Sequence, residues 1–533
     1  LAERYLALVL HAHLPFVRHP EHDQFLEERW LFEALTETYL PLVRVFERLG
    51  RERVPARVTL SISPTLLAML EDPLLQERYD DHLGRLLKLV DRELDRTRSQ
   101  PEFHRLAVLY RRLFEDARAD FAAHGGRLAR PLGELHRQGV IELSSTAATH
   151  AILPLIMAQP RAVEAQLSTG FDYFEAVFGF RPDGMWLPEC AYVPGLDAVL
   201  RRHGIRHFIV ESHGIDHASV APLAGVFAPL FTPSGVAAFG RDQASTREVW
   251  SAQHGFPGDP DYREFYRDIG FDLDPGYIRS VLGGDVRAMT GIKYHRITGP
   301  TSWKEPYDPD AARRKADLHA ALFLERRAAH LEYLASVTDV APIVVAPFDA
   351  ELFGHWWFEG PLWLDLFLRK AAFDQQTFRL TTLGAYLDRH PVHQSGQPGT
   401  STWGNAGYFD TWLNARTDWI FEHLVGCAHR MERLVAVHGA GAVTPLVKRA
   451  LDQCLRELLL AQGSDWPFII SNGTSAQYAE RRVRDHVSRF HWLATALEAG
   501  CIDEEKLGAI EYLDNLFPGA DYRSFALPAA SAA

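Results

Sequence analysis

The chain has 533 residues, of which 47% are hydrophobic and 23% charged, with a formal net charge of −13. That is the make-up of a globular enzyme with room for one large domain and a smaller one. Its acidic balance argues against a protein built to grip nucleic acid or an anionic membrane surface, whereas a neutral polyhydroxylated substrate meets no electrostatic objection.

Short apolar runs ending in polar groups recur along the chain. Residues 6–10 run into His11 and His13, 58–62 into Ser63, and 140–143 into a small polar stretch closed by His150. Further on, 185–187 lead to Glu189, 207–210 to Glu211 and His213, 236–239 to Arg241 and Asp242, and 343–346 to Asp349. These runs alternate with helical stretches, which is the βα pattern of a parallel α/β barrel, here with seven candidate strands. Between the second and third, residues 66–138 are charged and keep helical spacing at Leu106, Leu109, Tyr110 and Leu113, which predicts a helical insertion. Residues 248–272 are rich in Gly, Pro, Tyr and Phe, with little periodicity, and are expected to form a binding loop.

The composition shifts near 389–402, so a catalytic domain is expected over 1–390 and a second domain over 391–533. Beyond the shift, helices are expected at 412–437, 443–462 and 474–499 with no strand, and this helical domain is expected to contribute to the cleft. The Ala-rich tail after Leu527 is expected to be disordered. Cys190, Cys427, Cys454 and Cys501 form no CxxC pair or metal spacing, and read as reduced thiols of a cytoplasmic protein. Cys190 adjoins Glu189 and is read as packing, not as a nucleophile. The apolar run at 5–10 is too short to span a membrane.

The chemistry concentrates at two strand ends. Residues 346–357 carry Asp349, Glu351, His355, Trp356 and Trp357, and residues 185–192 carry Glu189. In a parallel barrel those ends form the catalytic rim. Two carboxylates from two strand ends are what glycoside cleavage requires, and the sequence does not say which attacks and which protonates. Glu351, two residues past Asp349, is read as a support residue pointing away from the cleft. Arg241 either holds an ionised carboxylate or forms a structural ion pair. His11, His13, His150, Asp349 and His355 also admit a zinc hydrolase of the deacetylase or amidohydrolase type. In the sugar reading, His11 and His150 hydrogen-bond to substrate hydroxyls instead. Trp30, Trp250, Trp356, Trp357, Trp403, Trp412 and Trp466, with Asp465 beside the last, suggest an aromatic groove for an extended glycan. A non-catalytic glucan-binding protein is the third reading.

The segments at 11–15, 142–150, 186–189, 346–357 and 464–468 resemble the signature stretches of glycoside hydrolase family 57, the string from Asp349 to Trp357 most specifically. The resemblance implies a (β/α)7 barrel with a helical insertion and an all-helical C-terminal domain, no metal or other cofactor, and a retaining mechanism on α-1,4-glucan. It implies Glu189 as nucleophile and Asp349 as general acid/base, with His11 and His150 lining the cleavage subsite. Trp30, Trp250, Trp403, Trp412 and Asp465 match positions associated with glucan binding or transfer, and His13, Arg241, His355 and Trp356 complete the expected substrate-binding set. Within the family the chain resembles the branching enzymes and their α-amylase-like relatives. Branching members resemble one another in a mobile Tyr-bearing loop over the cleft. The corresponding stretch here, 214–239, has neither Tyr nor Trp. Branching is the first expectation and α-amylase-type hydrolysis the alternative.

Overall fold

The computed structural model describes residues 3–282, 287–439, 441 and 443–526; the tail after Leu527 lies outside them. The first strand, β1 (Tyr5–Ala12), is buried along its whole length, as a central parallel strand covered on both faces must be. It pairs in parallel with β2 (Val58–Ile62), which in turn pairs with β3 (Ile141–Ser144). A second sheet holds β4 (Gly184–Met185), β5 (His207–Val210), the short β6 (Leu230–Phe231) and β7 (Ala237–Gly240). β8 (Ile343–Asp349) returns to the other side of β1, and β9 (Arg379–Leu380) pairs with β1 near its start.

Single links join the two sheets. A parallel bridge connects Ser145 with Met185, where Trp186 N–H donates to Ser145 O (2.9 Å). On the far side Asp242 N–H donates to Val345 O (2.9 Å). The order β1-β2-β3-β4-β5-β7-β8 is that of a seven-stranded barrel, and its seven strands are the seven apolar runs of the sequence. Register fixes the rim: His11 is level with Ser61 on one side and Asp349 on the other.

Between β2 and β3 the described residues form helices Pro64–Leu70, Pro73–Arg96, Pro101–Ala123 and Ala129–Arg137, in the region expected to be a helical insertion. Beyond helix Leu383–Arg389 the described residues form no strand. Their helices include Asp418–His438, Pro445–Ala461 and Ala476–Glu498, with Asp465–Asn472 and Glu504–Leu513 as additions that the periodicity did not reveal. The apolar core passes from the barrel into these helices without a break. No described helix is long and apolar enough to cross a membrane.

The segment expected to be a binding loop at 248–272 behaves otherwise. Tyr262 and Arg263 are buried, and Phe265 stacks on Trp356 (4.5 Å). Among its residues, Trp250, at the end of helix Gln243–Trp250, faces the cleft. Phe256 and Tyr262 pack inward, whereas Trp250, Tyr266 and Phe271 stay exposed.

Candidate active site

A cavity of about 590 Å³ opens at the carboxyl ends of the strands. Glu189, Asp349, Glu351, His11, His13, His150, Arg241, Trp250, Trp356, Trp403, Trp412 and Asp465 all line it. Trp30 and His355 are not among its lining residues. Trp30 packs edge-on against Tyr478 (5.8 Å), and His355 turns its Nδ1 to Glu37 (3.2 Å). Trp357 and Trp466 are core residues, not groove walls. The Trp466 Nε1–H donates to Leu460 O (2.7 Å), the satisfied state of a buried indole.

Glu189 sits in a strained turn. Its backbone lies in the left-handed region (φ 61°, ψ 24°), and Cys190 follows at φ 50°. Each such residue costs about 1–3 kcal/mol, and that kind of strain clusters at functional sites. The turn aims the carboxylate at two donors. Trp403 Nε1–H donates to Oε2 (2.7 Å) and Ser464 Oγ–H to Oε1 (3.3 Å). Trp403 N–H also donates to the Glu189 carbonyl (3.0 Å), tying the stretch after residue 390 to the rim. Cys190 is buried, outside the cavity lining, and burial pushes its thiol well up, so it packs as expected.

The histidines form a directional chain. Burial pushes His11 and His150 well below the ordinary histidine range, so both are neutral. Their Nε2 atoms are 2.9 Å apart, so one donates and the other accepts. Because Ser464 gives its proton to Glu189, its oxygen accepts from His150 Nδ1–H (2.8 Å). His150 Nε2 then accepts from His11 Nε2–H, and His11 Nδ1 accepts from Ser61 Oγ–H (3.3 Å). Every proton in the chain points toward Glu189. The His11 ring also stacks on Trp186 (4.6 Å), so it is held on face and edge.

His13 behaves differently. Its Nδ1 meets Ser63 Oγ (2.8 Å) and its Nε2 meets Asp465 (3.1 Å). Burial alone would lower it, but Asp465 above all, with Glu351 and Glu189, raises it above the ordinary histidine value. The ring lies 3.9 Å from that of His150. A zinc reading needs imidazole nitrogens converging on one point. Here the Nε2 atoms of His11 and His150 are committed to each other, and the third histidine is held by a carboxylate.

Asp349 and Glu351 complete the acids. Burial pushes Asp349 up to about 6, against the pull of Arg241 and His13. Burial likewise pushes Glu189 up to about 7, with Asp349 and Asp465 adding to the rise and Trp403 opposing it. Glu351, expected to point away, lines the cleft floor. A turn at Ala350–Leu352 breaks the strand's alternation and swings it round. The Tyr39 hydroxyl and His13 N–H donate to it, and burial pushes it to about 7. Arg241 forms an ion pair and also pulls on Asp349. It bonds Glu211 (2.8 Å) and lies 5.5 Å from the Trp403 ring. Asp242 caps helix Gln243–Trp250 and pairs with Arg327.

The walls are aromatic. Trp250 and Trp356 are 59% and 53% exposed, so their rings are accessible from the cleft. Trp412 is 1% exposed and contributes an edge. A Cβ on Gly404 would meet that indole at 2.5 Å, so only glycine fits beside it. Gly354 has the same logic: at φ 118°, its Cβ would lie 1.7 Å from Glu37 O, where the Trp356 loop crosses the helical segment Leu35–Tyr39. The sequence reading assigned Ser464 and Glu351 no place in the cleft. Ser464 stood inside a signature stretch, but nothing in the sequence tied it to a strand end 275 residues away.

A parallel barrel with paired acids and exposed indoles at the carboxyl ends of its strands defines the class of barrel glycoside hydrolases. The chain belongs to glycosyl hydrolase family 57, whose model matches residues 7–390. Residues 423–525 match the model described as 1,4-alpha-glucan branching enzyme, C-terminal. A 1,4-alpha-glucan branching enzyme of Thermococcus kodakarensis is 33% identical over 550 residues, covering 96% of this chain and 77% of that protein. Among solved structures, the alpha-amylase AmyC from Thermotoga maritima is similar at 42% identity and a TM-score of 0.91, covering 99% of this chain and 100% of that one. A GH57-type branching enzyme from Pyrococcus horikoshii is similar at 32% identity and a TM-score of 0.89, covering 99% and 98%.

Proposed function

We propose that this chain is a 1,4-α-glucan branching enzyme acting with retention, with Glu189 as nucleophile and Asp349 as general acid/base. The observation that carries the reading is that Glu189 and Asp349, from the ends of β4 and β8, line one indole-walled cleft. Glu189 is assigned the attack because two donors orient its oxygens and favour the ionised form, whereas no hydrogen bond to the Asp349 side chain is formed among the described residues, leaving it able to hold a proton. Burial by itself would make Glu189 the weaker acid of the two. Positive charge developing at the anomeric carbon reverses that preference in the reacting complex.

In the first step a Glu189 oxygen bonds to C1, the glycosidic C1–O bond breaks, and the Asp349 proton passes to the departing oxygen. In the second, a glucan 6-hydroxyl bonds to C1 while its proton passes to the Asp349 carboxylate and the C1–Glu189 bond breaks, leaving an α-1,6 link. The Asp465 carboxylate keeps lone pairs for hydroxyls of the reacting sugar, His11, His13 and His150 shape the floor around it, Arg241 keeps a positive charge near Asp349, and Trp250, Trp356 and Trp403 receive ring faces while Trp412 adds an edge. No cofactor enters these steps.

The match of residues 423–525 to a branching-enzyme model supports transfer. The 42% identity to an alpha-amylase, with a 214–239 stretch lacking Tyr and Trp, favours hydrolysis by the same residues as the second reading. Incubation with amylose decides between them. Branching gives α-1,6 links, released as short chains by a debranching enzyme, with few lasting reducing ends. Reducing ends without branches would overturn the proposal in favour of an amylase.

A further inference from the structure

A second cavity of about 600 Å³ lies beside the first. The two share Arg241, Trp250, Trp403 and Gly404 as a common wall. None of the chemistry above uses its far side. There, Tyr408 is 45% exposed, its ring set edge-on to His213 (5.6 Å). Its hydroxyl makes no hydrogen bond among the described residues. Gln243 commits its amide N–H groups to Glu211 (3.0 Å) and Ser212 (2.8 Å), which turns its carbonyl oxygen into a spare acceptor. The side chain of Arg247, on the exposed face of helix Gln243–Trp250, forms no hydrogen bond or ion pair among the described residues. The groove therefore holds two exposed aromatic rings, Trp250 and Tyr408, and polar groups with unspent donors and acceptors.

That set matches a glucan chain: flat C–H faces for the rings and a rim of hydroxyls for the arginine and the amide. The groove's other charges largely cancel, since Arg241 is paired with Glu211, which suits a neutral ligand. Its position adds direction. His11, His13, His150 and Asp465 lie in the first cavity and His213, His217 and His254 in the second, whereas Arg241 lines both. Trp403, which donates to Glu189 (2.7 Å), stands in that common wall too, so a chain lying in the second cavity ends beside the reacting centre, where an incoming hydroxyl must arrive.

We infer that this second groove seats the acceptor glucan, with Tyr408 and Arg247 as its outer contacts. The inference rests on the branching reading. It is tested by giving wild type, Tyr408→Ala and Arg247→Ala amylose and measuring new α-1,6 links per new reducing end. This ratio counts outcomes per cleavage event, so it does not depend on how much of each variant is folded. Both positions lie at the surface, and general damage lowers the two products together. Each variant is expected to lower the ratio about fivefold or more, the loss of one ring contact or one charge-assisted bond, because water then captures more of the intermediate. Wild-type ratios in both variants, with wild type branching, would overturn the groove and leave the branching reading standing. Wild type yielding reducing ends alone would overturn both.

Discussion

Two regions take acids out of water and treat them in opposite ways. At the rim, Glu189, Asp349 and Glu351 face indoles, histidines and one another, and burial raises them to about 7, 6 and 7. Behind the Trp356 loop, Glu37 is also buried, and burial again works to raise it. There Arg263 (3.0 Å), with help from His355 and Lys293, outweighs the burial and holds Glu37 at about 2. A buried charge with a dedicated cation is part of the scaffold. A buried acid without one is kept reactive at some expense in stability.

The sharpest way to break this comparison is to neutralise the reactive acids. Glu189→Gln and Asp349→Asn are each expected to lower turnover of amylose about 10⁴-fold, the scale of losing a reacting group. Neither should lower the melting temperature, since each removes an uncompensated buried acid. A drop in both activity and stability would make these carboxylates structural. Azide separates their roles on an aryl α-maltooligoside. Glu189→Gly with azide should yield the β-glycosyl azide and Asp349→Gly the α-azide; the reverse pattern would exchange the assignments.

The scaffold pair should respond in the opposite sense. Arg263→Met leaves Glu37 buried without its arginine, which is expected to cost about 3–5 kcal/mol, read as a fall in denaturation midpoint. Adding Glu37→Gln should recover most of it. A single variant as stable as wild type would mean that His355 and Lys293 suffice for Glu37.

pH sharpens the contrast without mutation. Glu37 has its folded value depressed from 4.5 to about 2, so its contribution is present above the ordinary carboxylate range and fades as pH falls toward 2. Glu189 and Asp349 are raised, from 4.5 to about 7 and from 3.8 to about 6, so their contribution is lost as pH climbs through that window. Stability should therefore decline from pH 5 toward pH 8. The double variant Glu189→Gln/Asp349→Asn should make the decline shallower, leaving the share of Glu351 and the other raised carboxyls Glu28, Glu33 and Glu457. Activity needs one proton on the pair, so it should peak near neutrality and fall on both sides. An unchanged slope in the double variant would locate the titration elsewhere.

How much of this was legible differs by element. Strand ends were legible because an apolar run stopping at a polar residue is a local signal; β1, β8 and the residues His11, Glu189 and Asp349 follow from it. Trp357 and Trp466 misled because an indole in a polar stretch looks alike whether it faces a groove or packs inward. Glu351 misled because period two was carried past the last strand residue into a turn. Arg263 and Glu37 were invisible: their pairing joins residues 226 apart, and neither belongs to a motif. Helix Asp465–Asn472 was too short for periodicity to reveal, yet it positions Asp465.

The smallest expected effect probes the link from the histidine chain to the nucleophile. Ser464 touches no reacting atom; it gives its proton to Glu189 and takes one from His150. Ser464→Ala removes one of two side-chain donors to Glu189 and leaves His150 Nδ1–H with Glu189 Oε1 as its nearest acceptor, at 3.7 Å. Trp403 still holds the other oxygen, so kcat is expected to fall about tenfold, the worth of one hydrogen bond to a charged group, with KM little changed. The acidic limb of the pH profile should move upward, because a carboxylate with fewer donors binds its proton more tightly. Ser464→Thr, which keeps the hydroxyl, should restore the limb. A tenfold loss with an unmoved limb would reduce Ser464 to packing, and the chain of protons to a feature of the resting structure alone.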